Sequence, residues 1–267
     1  MASADAFDTI ALEIEDLVAT IEIQRPPNNF FTVQMIGEIA DALEHLDTVD
    51  DCRSVVLCSQ GKHFCAGNDF AEARYDVTGQ KNDTGQKGNT LPLYQQALRL
   101  FKTKKPIVAA VQGAAIGGGL GLSLAADFRV AAPEARFSAN FTLLGYHHGF
   151  GLTVTLPRVV GTQQANLLLY TGRRIKGDEA LSIGLCDYLV ALQDVRPRAV
   201  SLAREIATAA PLSVEAVRQT MRQGVADDFE RATAREAQIQ FTLRETEDFR
   251  EGITASKERR IPQFKRR

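Results

Sequence analysis

The chain has 267 residues, a length that allows one substantial hydrophobic core, either as a single domain or as a domain with a helical appendage. Its 31 Lys and Arg residues nearly balance its 33 Asp and Glu residues, so no overall positive field predicts binding to nucleic acid or to a membrane surface. There is no signal-peptide pattern, no apolar run of membrane-spanning length and no paired spacing among the four cysteines, which predicts a cytoplasmic protein with reduced cysteines.

The first elements in the sequence have the order of an α/β fold. Residues 10–14 and 18–23 alternate between apolar and polar types, which predicts a β-hairpin. Thr32 is a suitable N-cap for the amphipathic helix that follows, and residues 55–58 are typical of a buried strand. A strand, a helix and a strand in this order predict a right-handed crossover and a partly parallel sheet.

Residues 61–70, GKHFCAGNDF, form a glycine-bearing loop directly after the predicted strand 55–58. Residues 76–90 follow it and contain no large apolar residue after Val77, which predicts a loop. This loop is either a lid over a site or an ordinary surface insertion.

The stretch 105–127 contains the strongest signal in the chain. Residues 106–111 are an apolar, β-branched run that predicts a central strand covered on both faces, and residues 120–126 have the pattern of a buried helix. Three consecutive glycines, 117–119, lie where the strand leads into the helix. Unpaired N–H groups at that end of a helix can bind a carbonyl, carboxylate or phosphate. The alternative is that the glycines only allow helix and sheet to pack closely.

Known glycine motifs do not explain this stretch. The dinucleotide fingerprint G-x-G-x-x-G requires glycine where Leu122 stands, and there is no Gly-Lys-Ser/Thr of a phosphate loop. Ser123 lies in a near match to the nucleophile elbow G-x-S-x-G, but inside the predicted helix, so we interpret it as a packing residue.

The two glycine-bearing loops follow predicted neighbouring strands. Ligands of open α/β sheets bind at the carboxyl ends of the strands, so both loops can direct backbone N–H groups at one atom. Two donors directed at one oxygen form an oxyanion hole. From Gly161 onward the sequence predicts helices, with breaks at Gly172, Gly184, Pro211 and Gly224 and a short strand at 186–190.

Four segments resemble those of the enoyl-CoA hydratase/isomerase, or crotonase, superfamily. They are KHFCAGNDF at 62–70, KPIVAAVQGAAIGGGLGLSLAADFRVA at 105–131, ARFS at 135–138 and LPRVVGTQQANLLLYTGRRIKGDEALSIGLCDYLV at 156–190. The resemblance implies an α/β fold built as a spiral of ββα units. It implies a core with an acyl-CoA site at 1–195 and a helical trimerisation region at 196–267. It also implies an acyl-CoA ligand, a homotrimer or dimer of trimers, and no cofactor apart from the coenzyme A of the substrate.

The resemblance assigns site residues to both glycine-bearing loops. The backbone N–H groups of Asn68 and Gly118 are implied to be the two oxyanion donors. Ala66 and Asp69 fall in the segment that lines the CoA site, where Asp69 is expected to order the loop rather than contact the ligand. Gly117 is expected among the substrate-binding residues.

Two positions depart from the family pattern. Hydratases of the family have one catalytic glutamate two positions after the glycine triplet and another after the ARFS segment, where this chain has Gly121 and Phe141. Two carboxylates normally support water addition, one activating the water and one delivering a proton. Their absence argues against ordinary hydration and predicts an apolar, open wall, with Phe141 among the substrate-binding residues.

The segment GYHHGFG at 145–151 lies where other members of the family place alternative acid/base residues. Histidine titrates near neutral pH, so we predict that His148 is catalytic and that Tyr146 contacts the substrate. The alternative is that His147 and His148 are ordinary loop histidines. We interpret His63 as structural. An adjacent histidine pair without carboxylates is a poor metal site, so no metal is expected.

Two functional hypotheses follow from these residues. One is an acyl-CoA enzyme, a lyase, isomerase or thioester hydrolase, with unorthodox acid/base groups. The other is a non-catalytic acyl-CoA-binding homologue or assembly subunit. The retained donor loops favour the enzyme, and Gly121 and Phe141 favour the binding protein. The sequence leaves open whether a distant carboxylate of the C-terminal helices, such as Glu245 or Glu247, reaches the site.

Overall fold

The computed structural model describes residues 7–68 and 90–267, and it has a mixed sheet at its centre. The strands are, in chain order, β1 (Ile10–Glu15), β2 (Val18–Ile23), β3 (Ser54–Ser59), β4 (Ile107–Val111), β5 (Ala114–Ile116), β6 (Phe128–Ala131), β7 (Arg136–Ser138), β8 (Arg174–Lys176) and β9 (Tyr188–Leu189). The helices are α1 (Val33–Leu46), α2 (Leu91–Leu100), α3 (Gly118–Ala125), α4 (Leu152–Thr171), α5 (Gly177–Ser182), α6 (Val195–Ala207), α7 (Pro211–Met221), α8 (Val225–Leu243) and α9 (Glu247–Glu258).

The main sheet has the strand order β1-β2-β3-β4-β6-β9. Strands β1 and β2 form the predicted antiparallel hairpin, and all the other pairs in this sheet are parallel. Strand β4 lies between β3 and β6, which confirms the central strand predicted at 106–111. The α/β class is therefore confirmed.

Both faces of the main sheet are buried, which explains why its central strands are continuously apolar. Val55 and Leu57 pack in the larger core with α1, whereas Val56 and Cys58 pack on the opposite face in a second cluster with α6. The hydroxyl of Thr32 accepts a hydrogen bond from Met35 N at 3.1 Å, as expected of the N-cap of α1.

Helix α6 packs on strands β3, β4 and β6, although it begins at the predicted boundary between core and helical region. The hydroxyl of Ser54 in β3 donates to the carbonyl oxygen of Ala203 at 2.7 Å. The division at 195/196 remains a prediction, and these contacts favour a helical region that begins after Ala207.

A second, three-stranded sheet with the order β5-β7-β8 was not predicted. Each of its strands has three residues, too few to show an alternating pattern in a sequence. Strand β5 separates Gly113 from the glycine triplet and carries the chain from the main sheet to α3. No helix in the described ranges is long and apolar enough to cross a membrane.

Candidate active site

A short parallel bridge holds the two glycine-bearing loops side by side. Cys65 pairs with Ala115: Cys65 N donates to Ala114 O at 2.9 Å, and Ile116 N donates to Cys65 O at 3.1 Å. Asn68 lies three residues beyond Cys65, and Gly118 lies three residues beyond Ala115. Because both segments run in the same direction from the bridge, both positions are carried to the same side of the molecule, where they line one cavity.

Glycine is required at two points where these loops touch. Gly67 has a φ of +88°, and a Cβ atom there would lie 2.7 Å from the carbonyl oxygen of Ile116. A Cβ atom on Gly119 would lie 2.1 Å from the carbonyl oxygen of Cys65. Each loop thus has a glycine facing the backbone of the other, and a side chain at either position would separate them.

Two residues that line the cavity have backbone N–H groups with no acceptor among the described residues. Gly118 is the first residue of α3, and the first N–H groups of a helix have no acceptor within it. Gly117 N donates to Ser138 O at 2.8 Å, whereas within the described part of the chain the N–H groups of Asn68 and Gly118 have no acceptor. The residues lining this cavity therefore include two whose backbone donors are unpaired in the described part of the chain.

The cavity has a volume of about 40 Å³, with room for a few water molecules. Much of its wall is apolar, formed by Phe31, Leu93, Ile116, Phe141, Leu144 and Phe150. Its polar side chains are Asn68, Thr90, Tyr94, Asn140, Tyr146, Gln240 and Arg244. Among the described residues no carboxylate and no imidazole lines it.

The prediction of an open wall at Gly121 is wrong. A Cβ atom on Gly121 would lie 2.7 Å from a ring atom of Phe150, so the ring of Phe150 fills the space of a side chain at 121. Phe141 lines the cavity as expected, with its ring centroid 5.2 Å from that of Tyr146. Phenylalanine rings thus occupy both places where the family pattern has carboxylates.

His148 does not reach the cavity, which argues against the predicted catalytic role. The side chain is only 6% exposed and packs against Phe141, with ring centroids 5.4 Å apart. Its Nε2 lies 2.8 Å from Leu169 O, and because a carbonyl only accepts, Nε2 carries the proton. Burial lowers the pKa of His148 to about 4, so the ring is neutral at neutral pH. We assign His148 to the packing behind Phe141.

Of the other predicted site residues, some line the cavity and some do not. Tyr146 and Gly117 line the cavity, whereas Ala66 does not and instead donates its N–H to Asn28 O at 2.9 Å. Asp69 lies outside the described residues, as does the predicted loop 76–90 except for its last residue, Thr90. His63 is structural, as predicted, since its Nδ1 accepts from Ala114 N at 3.3 Å.

Helix α8 contributes to the site, and this was not predicted from the sequence. Glu236 and Gln240 of α8 and Arg244, the residue directly after the helix, follow one another at intervals of four; Glu236 and Gln240 bond to the 147–151 segment, and Gln240 and Arg244 line the cavity. The buried carboxylate of Glu236 accepts hydrogen bonds from Gly151 N at 2.9 Å and from the Thr153 hydroxyl at 2.7 Å. Burial raises the pKa of Glu236. The spacing of four between these polar residues was the signal in the sequence that could have revealed this side of α8.

Glu245 and Glu247, whose approach to the site the sequence left open, do not line the cavity, and Glu245 lies between α8 and α9. Gln240 and Arg244 do so instead, and they bring hydrogen-bonding groups but no carboxylate. In the part of the chain that the structure covers, no group of three or more His, Cys, Asp or Glu side chains has an arrangement that holds a metal ion.

Comparisons with known proteins agree with this architecture. Residues 13–267 match the family model described as enoyl-CoA hydratase/isomerase. The chain is 32% identical over 263 residues to a probable enoyl-CoA hydratase of Bacillus subtilis, covering 97% of this chain and 99% of that protein. It is 31% identical over 258 residues to the 1,2-epoxyphenylacetyl-CoA isomerase of Escherichia coli, covering 96% and 97%.

A solved structure shows the same fold over nearly the whole chain. The enoyl-CoA hydratase/isomerase from Pseudoalteromonas atlantica aligns with a TM-score of 0.84 and 29% identity, covering 97% of this chain and 100% of that one. The resemblance drawn from the four sequence segments is therefore confirmed, together with the fold it implies. The chain belongs to the enoyl-CoA hydratase/isomerase family.

Proposed function

We propose that this chain binds an acyl-CoA thioester and stabilises the enolate form of its carbonyl with the N–H groups of Asn68 and Gly118. The proposal is supported by the Cys65–Ala115 bridge, which joins the two loops whose residues Asn68 and Gly118 line one cavity. A thioester oxygen gains negative charge when its α-proton leaves, and donors fixed in place beforehand stabilise that charge in a water-poor site. The named relatives include a probable enoyl-CoA hydratase and a 1,2-epoxyphenylacetyl-CoA isomerase.

The reaction class we propose is that of an acyl-CoA lyase or isomerase, since both proceed through such an enolate. Water addition by two carboxylates has no support in the described cavity, because Phe141 and Phe150 occupy the relevant space. Tyr146 and Gly117 are the proposed contacts of the acyl thioester. Ala66 and Asp69 remain proposed for the segment beside CoA.

A non-catalytic acyl-CoA-binding protein is the second candidate. It is favoured by one observation, the lack of a carboxylate or imidazole among the described lining residues. Such a protein would retain the donors and bind the thioester without converting it.

The deciding experiment uses purified protein and a panel of saturated and 2,3-unsaturated acyl-CoA thioesters in heavy water, with mass spectrometry of the products. Addition of water changes the mass, and enolate formation exchanges α-hydrogens for deuterium. Enzyme-dependent exchange or product formation supports the enzyme. Binding detected by calorimetry without exchange supports the second candidate, and the absence of binding contradicts both.

We also propose assembly as a homotrimer or a dimer of trimers. Helix α7 supports this proposal, because it exposes Leu212, Val217 and Met221, with 79%, 63% and 75% of their surface accessible. Apolar side chains this exposed on one helix are typical of an association surface.

A further inference from the structure

The amide of Gln240 connects four groups around the cavity. Its Nε2 donates to His147 O at 2.9 Å and to His148 O at 3.1 Å. Because carbonyl oxygens only accept hydrogen bonds, these two contacts fix which end of the amide is the nitrogen. The amide oxygen therefore faces α2, where it lies 3.0 Å from the Tyr94 hydroxyl and 3.3 Å from the Thr90 hydroxyl.

This orientation determines what the two hydroxyls can offer a ligand. The amide oxygen has no hydrogen, so the hydroxyls of Tyr94 and Thr90 are the donors in these contacts. Each hydroxyl has a single proton, and with that proton directed at Gln240, only lone pairs remain for other partners. Both residues line the cavity, so its α2 end presents hydrogen-bond acceptors.

The network is also held rigidly. Gln240 is only 1% exposed, and both ends of its amide are bonded. The Tyr94 hydroxyl is closely packed from the other side, because a Cβ atom on Gly149 would lie only 2.0 Å from its oxygen. The hydroxyl protons therefore have little freedom to turn towards a ligand.

We propose that Thr90, Tyr94 and Gln240, here called the acceptor site, select acyl groups that carry a hydrogen-bond donor such as a hydroxyl. A ligand hydroxyl donates its proton to a lone pair of Tyr94 or Thr90. A ketone oxygen in the same place has no proton to donate, so its lone pairs are repelled by those of the hydroxyl oxygens and its binding is disfavoured. This inference rests on the proposed function, because it takes the acyl part of a CoA thioester to occupy the cavity, whose volume of about 40 Å³ suits a short chain.

The test compares two thioesters of nearly equal size, 3-hydroxybutyryl-CoA, as each enantiomer, and 3-oxobutyryl-CoA. Binding to the purified full-length protein is measured by calorimetry, with butyryl-CoA as the reference ligand. We expect the better hydroxy enantiomer to bind about tenfold more tightly than the oxo compound, the effect of one hydrogen bond gained or lost.

The Gln240→Leu substitution frees both hydroxyls to direct their protons into the cavity, so the tenfold preference should fall to about one or invert. The matched control is Gln238→Leu, which lies on the exposed side of the same helix and should retain the wild-type ratio. If Gln240→Leu does not fold, Tyr94→Phe and Thr90→Val keep the side-chain shapes, remove the lone pairs and should also abolish the preference.

Two failures are distinguishable. If butyryl-CoA binds but the wild type does not prefer the hydroxy compound, or if the preference survives in the variants of all three residues, the acceptor site is refuted and the proposed function stands. If none of the thioesters binds, the proposed function fails and the inference fails with it.

Discussion

Phe150 and Phe141 decide the character of the cavity wall. The ring of Phe150 packs against Gly121 so closely that a Cβ atom at 121 has no space, and Phe141 covers the buried ring of His148. The wall is therefore both apolar and filled. At the scale of single residues, the two missing carboxylates are replaced by aromatic packing rather than by empty space.

The contact between Gly121 and Phe150 predicts a coupled response to mutation. Gly121→Ala should lower the free energy of unfolding by about 1–3 kcal/mol, because the new methyl group lies against the Phe150 ring. In the Phe150→Ala background, where the Cγ atom and the ring are absent, the same change should cost less. Urea unfolding of the four proteins of this cycle measures the coupling, and strictly additive costs would contradict the contact.

The buried ring of His148 predicts a pH dependence of stability. The pKa of about 4 in the folded protein lies below the ordinary value of 6.5, so between these values the unfolded chain binds more protons. Stability should therefore decrease as the pH falls from about 6.5 towards 4, by up to about 3 kcal/mol. His148→Gln cannot titrate, and its unfolding free energy should vary less over this interval; equal slopes would show that His148 is not buried as a neutral ring.

The sequence revealed only part of this site, for a physical reason. Asn68, Gly118 and Phe141 lie in or beside segments with recognisable patterns, and their positions follow from local strand and loop order. Two contacts join residues far apart in the chain: Phe150 packs against Gly121, and Gln240 bonds to Tyr94. Such contacts depend on how the helices pack, which spacing alone does not specify.

At the scale of elements, helix α7 is attached to the core by a largely buried ion cluster. Asp127 accepts hydrogen bonds from Arg218 Nε and from Arg222 Nη1, both at 2.8 Å, and from Ile107 N at 2.8 Å. Burial alone would raise the pKa of Asp127, but the two guanidinium groups hold it below its ordinary value. The carboxylate thus links α7 to the edge of α3 and to β4.

Removing this charge should weaken the attachment of α7. We expect Asp127→Asn to lower the free energy of unfolding by about 3 kcal/mol at pH 7, because two largely buried guanidinium groups lose their counter-ion. Since the pKa of Asp127 is lowered in the folded state, this stabilisation is complete above the ordinary pKa and lost only as the pH falls through the lowered value. Asp50→Asn, at an exposed position, is the control, and equal stabilities would refute the role of the cluster.

The elements differed in how well the sequence predicted them. The hairpin β1–β2, the capped helix α1 and the central strand β4 have strong periodic or apolar patterns, and all were predicted. Strands β5, β7 and β8 are too short for a pattern to emerge. The attachment of α6 to the sheet was also not predicted. The apolar face of an amphipathic helix shows that the helix packs against something, but it does not identify the partner element.

At the scale of the whole molecule, the apolar surface of α7 bears on the proposed assembly. We expect light scattering coupled to size-exclusion chromatography to give three or six times the mass of one chain. Introducing charge with Leu212→Glu and Met221→Glu should shift the protein towards smaller species, because both side chains are more than 70% exposed in the single chain. A monomeric wild type, or a double variant that assembles normally, would contradict the role of this surface.

The central claim is that the N–H groups of Asn68 and Gly118 stabilise an oxyanion, and the most direct test compares Gly118→Pro with Gly118→Ala. Both changes place a carbon against Phe31, but only proline removes the N–H, and the first turn of a helix tolerates it. The measurement is the rate of α-hydrogen exchange in bound acyl-CoA in heavy water. We expect Gly118→Pro to exchange more slowly than Gly118→Ala by about 10²–10³-fold. Equal rates in two folded variants that bind the thioester would contradict it.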